Sequence, residues 1–451
     1  MPPSAPTDLA ACKTSDWAAL EMLLLSVVLL MCLAATDAIL FPSICPPNLP
    51  NRVPCCPSYN GSACGYDLGR GRCLEVPKPK YPSMDERDAF PSAYYTHMCV
   101  CNGNYGSYDC GGCTFNRNGT NCDLQNIVRR EARQLTPTEL TAYLAKLHYC
   151  KTKIDPDYLI MQAGNRLQAS SYQFFLDSYY NGWCYEHYYA TKPFLNNSRE
   201  IYITNCAHGS TAFLTWHRLF LLGLENSMQR CLRDPSFALV YCDWQRDPGC
   251  AFCNNQYFGA NDATGFISPL SIFSGWRSVC GNFDHARTYC LMGNCICERQ
   301  PFRRRYGYVD VPKPNKADVD YCLSLGSLDR APYTAAVNGS FRSCIEGWIN
   351  RYGQQTSTMH NLWHVYLGGT MSQVPIACND PMFVCHHLLI DKFFEQWIRR
   401  YNANSNSYPN NPIYCHGPYD YITPSYYRYQ HRDMVRPLSS YGVTFSIYEG
   451  S

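Results

Sequence analysis

His360 and His364 stand four residues apart in TSTMHNLWHVYLGGTMSQV, and His386 and His387 follow in NDPMFVCHHLLIDKFFEQWIRRY. On an α-helix a spacing of four leaves two side chains about 40° apart and one turn removed, so both imidazoles face the same way. Neighbouring residues diverge by about 100°, so at most one of His386 and His387 can share that target. Two imidazoles from one helix and one from the next make a three-nitrogen site suited to copper, zinc or iron. A histidine pair at this spacing is often no more than a helix face. Several in one short stretch, in a chain with 12 histidines, favour a metal.

A second segment, NCAHGSTAFLTWHRLFLLGLENSMQRCLR, holds His208 and His217. Its apolar residues Phe213, Leu214, Trp216, Phe220, Leu221 and Leu224 follow the period of a buried helix. On one continuous helix, nine residues would put His208 opposite His217. Both can face one metal only if His208 hangs from the loop before the helix, and Gly209-Ser210-Thr211 supplies such a start. Upstream, FFLDSYYNGWCYEHYY reads as a helix near His187, with Asn181-Gly182 weakening it. Thr136-Pro137-Thr138-Glu139 is a capping-box pattern that opens a helix running to about Tyr149. Its His148 reads as a surface or core residue and not a ligand.

Residues 234–345 are loop-rich, with Cys250, Cys253, Cys280, Cys290, Cys295, Cys297 and Cys322 as expected staples. The tail after Tyr401, rich in Tyr, Pro and Asn, is expected to wrap the helices. At 451 residues the chain has room for one large domain and a smaller one. A formal net charge of +2 gives no footprint for nucleic acid.

The 28 cysteines place the chain in an oxidising compartment. Met22–Ala35 reads as the apolar core of a signal peptide, with cleavage near Ala35 or Ala38 and an uncleaved anchor as the alternative. Its removal takes Cys12 and Cys32 and leaves an even number. Asn60, Asn118, Asn196 and Asn338 begin Asn-x-Ser/Thr acceptors, in keeping with a glycosylated, secreted or vesicle-lumenal protein. No later apolar run reaches transmembrane length, so the mature chain is expected to be soluble with no membrane span. Ten cysteines between Cys45 and Cys122 resemble an epidermal-growth-factor or laminin-type module, and the compartment favours disulfides there over zinc. The expected division is a signal segment at 1–38, the cysteine-rich module at 39–124, and one domain from 125 to 451. Oligomeric state is not legible.

The segments AHGSTAFLTWHRLFLLGLE, YCDWQRDPGCAFC, CLSLGS, MHNLWHVYLGGTMSQV and NDPMFVCHHLLIDKFFEQWIRR resemble the tyrosinase family, in its animal form with a cysteine-rich module ahead of the metal domain. The resemblance runs from about Cys45 to Tyr448. It implies a mainly α fold, a four-helix bundle around a dinuclear metal centre. One copper would take His187, His208 and His217, the other His360, His364 and His387, with dioxygen as co-substrate. His386 would stand behind the second copper, and the His386-His387 doublet favours copper over the zinc of tyrosinase-related tautomerases. Glu346 and Asn361 match residues credited with orienting a water that helps deprotonate a phenol. Val374 and Ala377 match the loop bordering the substrate, although a hydroxyl residue is usual where Ala377 stands. Cys206 lies two residues before His208, the spacing of a Cys–His thioether in fungal and molluscan relatives, with a disulfide as the plainer alternative. The implied activity is oxidation of monophenols and o-diphenols, whether small phenols or protein tyrosyl groups, to o-quinones for pigment or for tanning extracellular protein. Two other readings are a zinc tautomerase and a haemocyanin-like dioxygen carrier. The chain also ends soon after Tyr441-Gly442, where the vertebrate form continues to a membrane anchor.

Overall fold

A computed structural model describes residues 40–76, 90–162, 170, 172–191, 194–196, 199–201, 205–247, 249–279, 299–307, 310–422 and 426–446. The signal-like segment, Cys12, Cys32, Cys280, Cys290, Cys295, Cys297 and the side chain of Asn196 lie outside the described residues. Among the described residues, seven α-helices run α1 Pro137–Thr152, α2 Tyr179–Ala190, α3 Ala212–Leu232, α4 Lys316–Ser324, α5 Phe341–Glu346, α6 Met359–Leu367 and α7 Met382–Tyr401. Twenty short strands of the described residues, in sheets of two or three, accompany them. The molecule is therefore not described by helices alone. Long connections and the cysteine-rich segment satisfy their backbone groups by pairing locally.

α3 is buried on nearly all sides and packs against both α2 and α7. A helix apolar all round belongs at the centre of a fold. The polar residues it carries there must be paired. Arg218 of α3 donates from Nε to Asp391 of α7 at 2.6 Å and from Nη2 to Glu395 at 3.3 Å. Glu225 of α3 and Asp391 also share Arg129, at 2.9 and 3.0 Å, so one buried ion cluster ties α3, α7 and the strand Ile127–Arg129 together.

α1 starts where its capping box predicts: the Thr136 hydroxyl accepts from the Glu139 N–H, and the Glu139 carboxylate accepts from the Thr136 N–H. The stretch before His187 differs from expectation. Gln173–Ser178 is a strand paired with Ile154–Gln162, whose other edge pairs with Leu40–Pro42. Phe174 and Phe175 fit a half-buried sheet, and the helix begins only at Tyr179. Asn181-Gly182 then does not interrupt α2 but lies in its first turn. The Ser178 hydroxyl caps the Asn181 N–H at 3.2 Å, and Asn181 Nδ2 donates to Asp177 at 2.8 Å. A Cβ on Gly182 would meet Leu40 Cδ2 at 2.9 Å, so the glycine admits the neighbouring strand.

The segment after α7 does return over the helices. Val443–Phe445 pairs in parallel with Ile127–Arg129, and His416 and His431 are fully buried. Five disulfides hold the cysteine-rich segment: Cys45–Cys55, Cys56–Cys73, Cys64–Cys99, Cys101–Cys110 and Cys113–Cys122. Among the other described residues, four more serve as staples: Cys150–Cys231, Cys206–Cys415, Cys250–Cys253 and Cys322–Cys344. Cys206 is thus a half-cystine here. Among the described residues, no helix is long and apolar enough to cross a membrane.

Candidate metal centre

Four helices and one loop bring seven histidines together. His187 projects from α2, His217 from α3, His360 and His364 from α6, and His386 and His387 from α7. His208 sits in the loop before α3, as the geometry of a nine-residue separation requires. That helix start does not use a side-chain cap from Thr211, whose hydroxyl donates to Asp329 at 2.7 Å. Instead the Ala212 N–H donates to Nδ1 of His416 at 3.0 Å.

Two groups form. The ring nitrogens of His187, His208 and His217 lie within 4.8 Å of one another, and those of His360, His364, His386 and His387 do likewise. The groups adjoin: the His217 and His387 rings stack with centroids 4.4 Å apart, and the His208 and His360 centroids are 6.4 Å apart. Phe213 reaches rings of both groups, at 4.9 Å from His217 and 4.7 Å from His360. Phe383 does the same, at 4.8 Å from His187 and 4.0 Å from His387.

Hydrogen bonds assign which nitrogen is bare in four of the rings. His217 Nδ1–H donates to the Phe213 carbonyl at 2.8 Å, and His364 Nδ1–H to the Met371 carbonyl at 2.7 Å. His360 Nδ1–H is shared between the Glu346 carbonyl at 3.2 Å and Asn361 Oδ1 at 3.1 Å. His208 Nδ1 faces Asn205 Oδ1 at 3.2 Å. Each such bond leaves Nε2 as a lone pair.

In the second group the three Nε2 atoms of His360, His364 and His387 point at one another across 3.0, 3.2 and 3.3 Å. The lone pairs of His360 and His364 face each other across 3.0 Å, a repulsion that a cation between them would relieve, and His387, whose buried Nδ1 makes no hydrogen bond, completes the triangle. A tripod of nitrogens about 2.0–2.1 Å from a metal has edges of about 3.3–3.4 Å, close to those found. His217 Nε2 is likewise buried without a partner. The residues therefore fit a metal in each group.

Burial keeps these rings neutral. It lowers His217 to about 3, with the Phe213 carbonyl acting in the other direction, and His364 to about 4, opposed by the Met371 carbonyl. His187, His208, His360 and His387 are driven well below the ordinary histidine range, first by burial and then by neighbouring imidazoles. Neutral imidazole is the form that binds metal.

His386 diverges from His387 as adjacent helical residues must. Its Nδ1 accepts from Trp244 Nε1 at 3.0 Å, and its ring stacks on His360 with centroids 5.1 Å apart. It braces a neighbour and does not extend the tripod.

Glu346, at the end of α5, is fully buried. Its Oε1 accepts from the Gly209 N–H at 2.7 Å, one residue past His208, and its Oε2 accepts from Arg342 Nη1 at 3.2 Å. Burial raises its pKa, opposed by Arg342 and the Gly209 N–H. Asn361 Nδ2 donates to the Gly347 carbonyl at 3.3 Å. The carboxylate and the amide thus hold the His208 loop and the His360 ring respectively. Val374 is half-exposed and Ala377 buried, both in the turn Val374–Asn379 between α6 and α7. Beside that turn opens a cavity of about 500 Å³, bordered by Arg303, Arg305, Val365, Thr370 and Gln373. Asn60, Asn118 and Asn338 are exposed. His148 accepts from Trp276 Nε1 at 3.1 Å, away from either group. His416 and His431 were not legible as parts of this region, because only the returned tail brings them beneath α3.

A buried pair of adjoining histidine groups, each able to hold one ion, defines the class of histidine-lined dinuclear metal proteins. The comparisons narrow it. The family described as the common central domain of tyrosinase matches residues 170–400. The tyrosinase of Felis catus is 34% identical over 425 residues, covering 88% of this chain and 79% of that one. The tyrosinase of Bos taurus is 32% identical over 457 residues, covering 95% and 86%. A 5,6-dihydroxyindole-2-carboxylic acid oxidase of Gallus gallus is 35% identical over 398 residues, covering 80% and 73%. The chain belongs to the tyrosinase family.

Proposed function

We propose that this chain is a copper-dependent enzyme that oxidises monophenols and o-diphenols to o-quinones with dioxygen. The observation that carries the reading is the set of three Nε2 atoms held 3.0–3.3 Å apart, with His217 of the other group stacked against it. Relatives named tyrosinase and 5,6-dihydroxyindole-2-carboxylic acid oxidase support a phenolic substrate. His187, His208 and His217 would hold one copper, and His360, His364 and His387 the other. When bound, the copper pair supplies dioxygen binding and two-electron redox chemistry.

The chain's own residues do the rest. Main-chain carbonyls of Phe213, Met371 and Glu346 fix the Nδ1 proton of three imidazoles, which sets ring orientation and keeps Nε2 free. Phe213 and Phe383 wall both groups with apolar surface and exclude stray water. Glu346 joins the two halves, since it sits one residue before Gly347, which anchors Asn361, and accepts from the residue after His208. A buried carboxyl with a raised pKa beside this site is suited to handle the phenol proton, with Asn361 aligned next to it. Val374 and Ala377 would border the phenol.

The helices α2, α3, α6 and α7 form the four-helix support of this centre, and residues 39–124 act as a structural module ahead of the domain from 125. Nine disulfides and exposed acceptors at Asn60, Asn118 and Asn338 support passage through the secretory pathway. Purified protein loaded with copper is expected to bind two coppers per chain and to convert tyrosine or L-DOPA to quinone. Two zinc ions without copper, or no oxidation of either substrate by the copper-loaded chain, would overturn this reading.

A further inference from the structure

Among the described residues, four buried cysteines stand outside the nine disulfides: Cys184, Cys242, Cys378 and Cys385. They are not scattered. Cys184 Sγ, in α2, lies 3.5 Å from the Cys378 carbonyl and in side-chain contact with the Cys378 thiol. The Cys242 N–H donates to the Cys385 carbonyl at 3.2 Å, and those two thiols also touch. That main-chain hydrogen bond holds the two backbones side by side. Disulfides span about 4.4–6.8 Å between Cα atoms. All four residues are at most 1% exposed, and the nine existing bonds show that the chain matures where thiols are oxidised.

We propose that Cys184–Cys378 and Cys242–Cys385 are two further disulfides, completing a covalent frame around the histidines. Each lies beside the centre. Cys184 is three residues before His187, and Cys385 two before His387, just as the half-cystine Cys206 is two before His208. The first bond ties α2 to the turn Val374–Asn379, and the second ties α7 to the segment after α3. Three of the segments that supply imidazoles are then anchored to distant chain, whether or not a metal is present.

Each bond forms by thiol–disulfide exchange with a disulfide-bearing oxidase of the secretory lumen. Two S–H bonds break and one S–S bond forms. Two protons and two electrons pass to the oxidase disulfide, which leaves as a dithiol.

The test uses the full chain secreted from eukaryotic cells, denatured without reductant and treated with iodoacetamide. Peptide mapping is expected to give two cross-linked pairs, joining Cys184 to Cys378 and Cys242 to Cys385, and no carbamidomethyl group on any of the four. Alkylation of these cysteines in the unreduced chain would overturn the proposal. This readout needs no metal, so its failure is distinct from failure of the oxidase reading. The role of the frame rests on that reading and has its own test. In the Cys242→Ser/Cys385→Ser and Cys184→Ser/Cys378→Ser variants, a chelator is expected to strip metal about 10–100-fold more readily, the range found when supports behind metal ligands are removed. Unchanged metal retention in both folded variants would refute the positioning role.

Discussion

Replacing Asp391 by asparagine tests how the two central helices are held together. The Asp391 side chain is 2% exposed and accepts from Arg218 Nε at 2.6 Å and Arg129 Nη1 at 3.0 Å. Asparagine keeps the shape, so packing is nearly unchanged, but it removes the charge and turns an amide N–H₂ toward one guanidinium. Glu225 and Glu395 then face Arg129 and Arg218 without the carboxylate that lies between the two arginines. Breaking a buried ion pair by removing one partner costs about 3–5 kcal/mol. With a guanidinium dependence of about 4–6 kcal/mol per molar, the unfolding midpoint should fall by about 0.5–1.2 M. The measurement is guanidinium unfolding of the metal-free, disulfide-intact protein, followed by tryptophan fluorescence. A midpoint equal to or above that of the wild type would show that desolvation of the cluster cancels its attraction, and the reasoning would fail.

Three other outcomes are expected. Gly347→Ala should abolish secretion of folded protein, because φ is +103° and an added Cβ would stand 1.9 Å from the Thr358 carbonyl oxygen; a wild-type melting temperature would refute this. His387→Asn should lower the metal content from two ions per chain to one, whereas His386→Asn, which still offers Trp244 an acceptor, should retain both, as metal analysis would show. His431 is held neutral by burial, its pKa lowered to about 3 with the Cys415 backbone opposing, against about 6.5 in the unfolded chain. Below 6.5 the unfolded state takes a proton that the folded state refuses, so this contribution is full above pH 6.5 and is lost as pH falls toward 3. His431→Gln should flatten the acid slope of unfolding free energy by about 1.4 kcal/mol per pH unit in that window, and an unchanged slope would contradict it.

The parts of the centre set by helical spacing were legible in the sequence. His360 and His364 share a face, at most one of the doublet can join them, and His208 needs a loop. Those statements depend on local geometry alone. Long-range pairing was not legible. Nothing in FFLDS announces a strand partner more than ten residues earlier, and its aromatic residues suit helix and sheet alike. The same holds for His416 at the start of α3 and for Arg129 between Glu225 and Asp391, whose partners lie 204, 96 and 262 residues away. Glu346 was singled out from a family motif, but its bond to the Gly209 N–H follows only from the packing of α5 against the His208 loop.

The reach of the last segments also sets an order of assembly. The His208 loop is fastened by Cys415, the adjoining helix start by His416, and the base of the ion cluster by the strand Val443–Phe445. A chain made only as far as α7 would present every imidazole of the site yet lack all three fastenings. Loading of the centre therefore belongs after residues 415–445 have folded back, when the strand Val443–Phe445 has joined Ile127–Arg129.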